Sequence, residues 1–333
     1  PLRCELADRD SSGRRKARLK RHFCRIGLAT CTPKLLSGEV RCQFAEVLAL
    51  LDIHPPQPSF FAAMEDRGTQ RIAFTVQYDG SSFFGWQLQR EERTVQGELE
   101  SVLSRLFAAP ARIVGSGRTD RGVHAMGQVA AVDAPEQWSP RSLRRAMNAL
   151  LPDEVWISAA AEVADDFHPR YNALERSYIY RIGLSPAAFS PFHARWCWPL
   201  AKTPQLDLLQ EAAQAIVGDH SFKAFAKAGQ EHRGDRCIVT STGWNPWADI
   251  GFEFRVSANR YLHHMVRYLV GTLVDIGLER RPLDTIGSLL ESAPGLTTSV
   301  PAPPTGLYLS QVRYPEGAYA PVEEATWKRT TYA

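Results

Sequence analysis

Residues 115–130 read GSGRTDRGVHAMGQVA, four glycines set around Arg118, Thr119, Asp120, Arg121 and His124. Ile113-Val114 before this stretch and Gln128 to Val132 after it read as short strands, so Asp120 falls on a loop between them. Glycines at 115, 117 and 122 let the backbone reach positive φ and approach a ligand closely, which presents the carboxylate outward. No Gly-Lys-Ser/Thr follows the glycines and no helix opens at Asp120, so a phosphate-binding P-loop is excluded, and a dinucleotide fingerprint fails on spacing. What remains is a carboxylate between Arg118 and Arg121. Neighbouring guanidinium groups hold such an Asp ionised at neutral pH, well above the carboxylate reference of ~3.9, and an ionised, oriented carboxylate suits covalent attack more than general-acid work.

Working outward, Ile72, Phe74, Val76 and Tyr78 alternate with Ala73, Thr75 and Gln77, the period of a strand, and Asp79-Gly80-Ser81-Ser82 turns the chain. Thr94 is the expected N-cap of a helix whose apolar stripe is Val95, Leu99, Val102, Leu103 and Leu106. Ser139-Pro140 opens a second helix with Leu143, Met147, Leu150 and Leu151 inward, and Val155 to Val163 is a strand. The second half repeats the alternation: strand Ser177 to Ile182, helix Gln205 to Val217, strands near Ile238 to Trp244 and Phe252 to Val256, then helix Leu262 to Ile276. Two successive units of this kind predict an α+β protein built from similar halves.

The chain has 333 residues, 44% of them hydrophobic, enough to bury a full core. No run approaches the eighteen or so apolar residues of a membrane span. Six cysteines, at 4, 24, 31, 42, 197 and 237, form no Cys-x-x-Cys pair, which argues against zinc and structural disulfides and suits a reducing cytoplasm. Residues 1–63 carry 11 Lys/Arg against 6 Asp/Glu, which leaves the remainder at −2 although the whole chain is +3. Any nucleic-acid contact therefore runs through local Arg and Lys patches. The first 38 residues read as a disordered basic arm, Glu39 to Ile53 as one amphipathic helix, and His54-Pro55-Pro56-Gln57-Pro58 as its break. Met64 precedes the first strand and is the expected start, with a basic targeting leader as the competing reading.

The stretch Gly115 to Ala125 resembles the signature of the TruA family of tRNA pseudouridine synthases. Other segments match in order: Tyr78 to Gln87, Thr94-Val95-Gln96, Asp166-Phe167-His168 with Arg170, Arg176 to Tyr180, His220-Ser221-Phe222 with Phe225, His263 to Arg267 with Val270-Gly271, and Gly306 to Leu309 with Val312 and Tyr314. The resemblance spans roughly residues 70 to 315 and leaves 1–63 outside as an extension. It implies two RRM-like, ferredoxin-like halves, 64–172 (catalytic) and 173–320, with a tail at 321–333. Their mainly antiparallel sheets join around a central cleft, with helices packed on one side. The implied activity is cofactor-free and metal-free isomerisation of uridine to pseudouridine at tRNA positions 38–40, in the anticodon stem-loop, by a homodimer that one tRNA spans.

By the same resemblance Asp120 is the catalytic carboxylate, whether it attacks the sugar or abstracts a sugar proton, and Tyr178 is the ring that stacks on the extruded base. Tyr180, on the same strand face, reads as core. Arg267 lies beside the apolar stripe of the late helix and needs a partner, for which Asp120 is the candidate. Arg118 and His124 complete the substrate-binding set, with Arg141, Arg144, Arg145, Arg170 and Arg195 as further phosphate contacts. His263 and His264 are adjacent, so on a helix they point in different directions and do not pair on a metal. Two rival readings remain: a non-catalytic RNA-binding module on the same scaffold, and a metal-dependent phosphate-ester hydrolase, for which no clustered carboxylates are present.

Overall fold

Ile72, Phe74 and Val76 are fully buried along the first strand, and the sheet they begin carries the rest of the molecule. The computed structural model describes residues 68–227 and 234–321, all within one unit, Pro56–Ala333. The expected arm, the helix at 39–53, its Pro-rich break and Met64 lie outside the described residues.

The strands are β1 (Thr69–Tyr78), β2 (Val114–Gly115), β3 (His124–Pro135), β4 (Val155–Glu162), β5 (Glu175–Gly183), β6 (Trp198–Pro199), β7 (Gly218–Ser221), β8 (Arg236–Trp247), β9 (Gly251–Ala258) and β10 (Leu307–Arg313). The α-helices are α1 (Val95–Phe107), α2 (Pro140–Leu150), α3 (Leu206–Gln214), α4 (Met265–Gly277) and α5 (Thr285–Leu290). Thr94 caps α1 as expected, its hydroxyl accepting from Gly97 N at 3.2 Å, and all five stripe residues are buried.

All ten strands form one mixed, mostly antiparallel sheet in the order β4-β1-β3-β10-β5-β9-β8-β7, with β2 on β3 and β6 on β5. The last strand in the chain is thus central. β10 pairs antiparallel with β5 and parallel with β3, where Tyr308 faces His124 and Leu309 faces Ala125. This seam joins the early strands to the late ones and brings the loop before β3 beside β5. On the late side, α3 and α4 pack on Tyr180, Trp244, Phe254, Phe222 and Phe225, with Leu209, Leu269 and Leu273 from the helices fully buried. Tyr180 is core as expected, its hydroxyl donating to Pro303 O at 2.7 Å. Among the described residues no helix is long and apolar enough to cross a membrane.

Candidate active site

Asp120 sits on the loop between β2 and β3, as its sequence context predicts. The segment after β1 braces that loop through its backbone. Trp86 N donates to Thr119 O at 3.0 Å, Gly122 N to Phe83 O at 3.3 Å, and the Tyr78 hydroxyl meets Thr119 Oγ1 at 2.8 Å. This approach requires Gly85, where φ is +91° and an added Cβ would stand 2.5 Å from Thr119 O. Of the three glycines expected to free the loop, only Gly122 has positive φ, at 79°. Gly115 serves another purpose, since its missing Cβ leaves room for the Trp86 ring.

A second brace comes from the sheet. Ser116 Oγ donates to Gln128 Oε1 at 2.6 Å, Gln128 Nε2 donates to Gly117 O at 2.8 Å, and Arg176 Nη2, from β5, donates to Ser116 O at 3.0 Å. The Asp120 side chain is left one-quarter exposed, held from behind and open in front.

Its partners are not the expected arginines. His263 Nε2 lies 3.2 Å from Asp120 Oδ1 and His264 Nε2 lies 3.4 Å from Oδ2. The two rings converge, with centroids 4.1 Å apart, because α4 begins at Met265 and not at Leu262. His264 is the cap, in the left-handed region with φ 63°, so the divergence of adjacent residues on a helix does not apply to it. Lys227 N donates to His263 O at 3.1 Å and fixes the turn. Burial pushes the His264 imidazole below its ordinary range, and His263, Arg267 and Lys227 add to this against the opposing charge of Asp120.

The guanidinium groups of Arg121 and Arg267 are engaged elsewhere. Arg121 stacks on Phe84 at 4.1 Å, Arg118 is exposed, and Arg267 Nε donates to Ala302 O at 2.7 Å while Ala302 N returns a bond to Arg267 O at 2.9 Å. The expected pairing of Asp120 with Arg267 is thus replaced by the two imidazoles. Arg267 remains near enough for its charge to act on His264.

Tyr178 on β5 is half-buried and meets Tyr261 edge-on, with centroids 4.9 Å apart. Burial first, and then the negative charge of Asp120, push its phenol up to about 12, so the hydroxyl stays neutral beside the carboxylate. Arg176, two residues before Tyr178 on β5, donates to Ser116 O of the Asp120 loop and so sets the strand of this ring beside that loop.

His124 corrects another expectation. It is 1% exposed, accepts at Nδ1 from Gly80 N at 3.1 Å and stacks on Tyr308 at 4.8 Å, so it is a buried brace and not a phosphate contact. Asp79 lies 3.2 Å from the same Nδ1 and pairs with Arg195 at 2.8 Å. Burial would raise the Asp79 carboxyl, but the contact with the His124 ring and the hydrogen bonds from Ser81 outweigh it and hold the group below the carboxylate range. Arg144 is buried and donates to Ser158 O, whereas Arg141 is exposed on α2. Of the expected basic fringe, Arg118, Arg141 and Arg195 are exposed, the last paired with Asp79.

A carboxylate on a doubly braced loop, a neutral phenol ring and a late-helix arginine come from segments far apart in the chain. The profile of a family described as tRNA pseudouridine synthase matches residues 74–172 and 212–315, which contain Asp120 and Arg267. The chain belongs to this family. Proteins named tRNA pseudouridine synthase A are similar to it over most of their length. That of Rhodospirillum rubrum is 40% identical over 256 residues, 76% of this chain and 91% of the relative. That of Dinoroseobacter shibae is 38% identical over 255 residues, 75% of this chain and 99% of the relative, and that of Maridesulfovibrio salexigens is 37% identical over 250 residues, 74% and 91%. Membership in the tRNA pseudouridine synthase family makes the protein an enzyme, an isomerase acting on tRNA uridine, and decides against the non-catalytic RNA-binding module.

Proposed function

We propose that this pseudouridine synthase acts on uridines 38–40 of the tRNA anticodon stem-loop, with Asp120 as nucleophile. The observation that carries the reading is a one-quarter-exposed Asp120 carboxylate, fixed from behind by backbone hydrogen bonds, on a loop that Arg176 sets beside the strand of the Tyr178 ring. In the reaction the N1–C1′ bond of uridine breaks, the base turns, and C5 bonds C1′. N1 regains a proton and the hydrogen on C5 is released to water. Asp120 attacks C1′ as the base departs, and the sugar is released again when C5 takes its place. The carboxylate has to reach a ribose, so a paired uridine is extruded from its stem at a cost of a few kcal/mol.

Tyr178 offers a face for the extruded base, and the exposed Arg118 offers a charge to the neighbouring phosphate. No cofactor enters these steps. The chain is read as two RRM-like halves, 64–172 and 173–320, joined at β10, and as a homodimer that one tRNA spans. Cys197 and Cys237 are unpaired thiols, in keeping with a cytoplasmic enzyme.

Incubation of the purified enzyme with unmodified tRNA, followed by mapping of pseudouridine, tests the assignment. Product is expected at positions 38–40 alone, and product confined to another arm would overturn it. Tyr178→Ala is expected to lower kcat/KM roughly 5- to 150-fold, the equivalent of the ~1–3 kcal/mol of base stacking, while Tyr178→Phe keeps that share. Steady-state kinetics on the same tRNA measures both, and equal losses in the two variants would show that the ring does not stack.

A further inference from the structure

His263 and His264 bring two imidazole nitrogens to the two oxygens of the Asp120 carboxylate. The pairs Nε2–Oδ1 and Nε2–Oδ2 stand at 3.2 and 3.4 Å, and the three ligand atoms lie within 4.8 Å of one another. Ligand atoms around a tetrahedral Zn²⁺ with bonds of about 2.0–2.1 Å stand about 3.3–3.4 Å apart, so one carboxylate oxygen and the two nitrogens close on an ion by small side-chain rotations. Two imidazole nitrogens and one carboxylate oxygen also suit zinc, cobalt, nickel or copper rather than magnesium or calcium.

Each ligand is already in place. Asp120 rides on the doubly braced loop, His263 is anchored through Lys227 N, and His264 O accepts from Tyr268 N at 3.1 Å in the first turn of α4. Little reorganisation is needed before an ion enters. The nearby charges of Arg267 and Lys227 oppose a divalent ion, which makes the site an exchanging one and not a structural one.

We infer that Asp120, His263 and His264 form an inhibitory site for a zinc-type divalent ion, with three protein ligands and a fourth position open to water. Binding itself needs only the geometry. Inhibition rests in addition on the proposed catalytic role of Asp120, because a metal-bound carboxylate is withdrawn from the sugar.

Co²⁺ reports the site by its visible spectrum. Titration of the full chain with Co²⁺ is expected to give the intense absorption of a four-coordinate ion, displaced by Zn²⁺. A His263→Ala/His264→Ala double variant is expected to bind Co²⁺ about 10–100-fold more weakly or worse, since loss of even an outer-shell partner has effects of that size. Zn²⁺ should lower tritium release from C5-labelled tRNA by at least about tenfold, an effect that EDTA reverses and Mg²⁺ does not reproduce. No four-coordinate band in the wild-type chain would overturn the site. So would a band of undiminished affinity in the double variant, which would assign it to other ligands such as Cys4, Cys24, Cys31 and Cys42. A Co²⁺ band lost in the double variant, together with Zn²⁺-insensitive turnover, would uphold the site and count against Asp120 as the catalytic group.

Discussion

Asp120→Asn is expected to lower tritium release from C5-labelled uridine tRNA by about 10⁴-fold or more, the size of loss seen when an enzyme's nucleophile or base is removed, equivalent to about 5 kcal/mol of transition-state stabilisation. The substitution keeps the shape of the side chain and removes only its charge. The loop around it is held by Thr119, Ser116, Gly117 and Gly122 through backbone groups and by Tyr78 and Arg176, none of which depends on the carboxylate. Stability should therefore change little, and tRNA affinity, measured by filter binding, should stay within a few-fold of wild type. The amide can still meet the rings of His263 and His264 with one donor and one acceptor. Release by the variant within about tenfold of wild type would remove Asp120 from the chemistry.

How much of this was legible in the sequence depends on the range of the signal. The strand at Thr69–Tyr78 and helix α1 announce themselves through period and cap, which are local properties. The position of Asp120 on a loop was equally local. β10 is less so: Leu307, Tyr308 and Leu309 are all buried, because a strand at the seam of a sheet is covered on both faces and loses its alternation.

The partners of Asp120 were not legible at all. Leu262 fits the apolar stripe of α4, so periodicity places the helix start too early. Only the left-handed backbone at His264 aims both imidazoles at one carboxylate, and nothing in a His-His dipeptide signals that. Similarly, Arg118 and Arg121 flank Asp120 in sequence, yet Arg121 stacks on Phe84 from the braced segment after β1, a contact that exists only once the two loops meet. Sequence proximity identified the charge and tertiary packing chose its neighbours.

The residue on which that packing converges is Arg176. Its guanidinium donates to four backbone carbonyls: Ser116 O at 3.0 Å, Arg170 O at 2.6 Å, Asn259 O at 3.2 Å and Ala173 O at 3.5 Å. One planar fork thus ties the Asp120 loop to the segment before β5 and to the end of β9, two positions from Tyr178 on the same strand. Burial pushes the guanidinium down from its ordinary range, opposed by Tyr314, Tyr178 and Tyr261, and at neutral pH it still carries its charge.

Arg176→Ala leaves these carbonyls without their donor. A hydrogen bond to a charged group is worth ~1.5–3 kcal/mol and the four are not additive, so a destabilisation of about 3–5 kcal/mol is expected, roughly 6–20 °C in Tm for a domain of this size. Arg176→Lys should recover less than half of the loss, because an ammonium is a point charge and cannot span four acceptors in one plane. Both variants should also lose turnover at temperatures where they remain folded, since the tether between Ser116 and the strand of Tyr178 sets the distance from carboxylate to ring. Thermal unfolding followed by circular dichroism, with kcat measured well below the transition, separates the two effects. A Tm within about 2 °C of wild type for Arg176→Ala would mean that water replaces the guanidinium and that the loop holds its position through Gly85 and Gln128 alone.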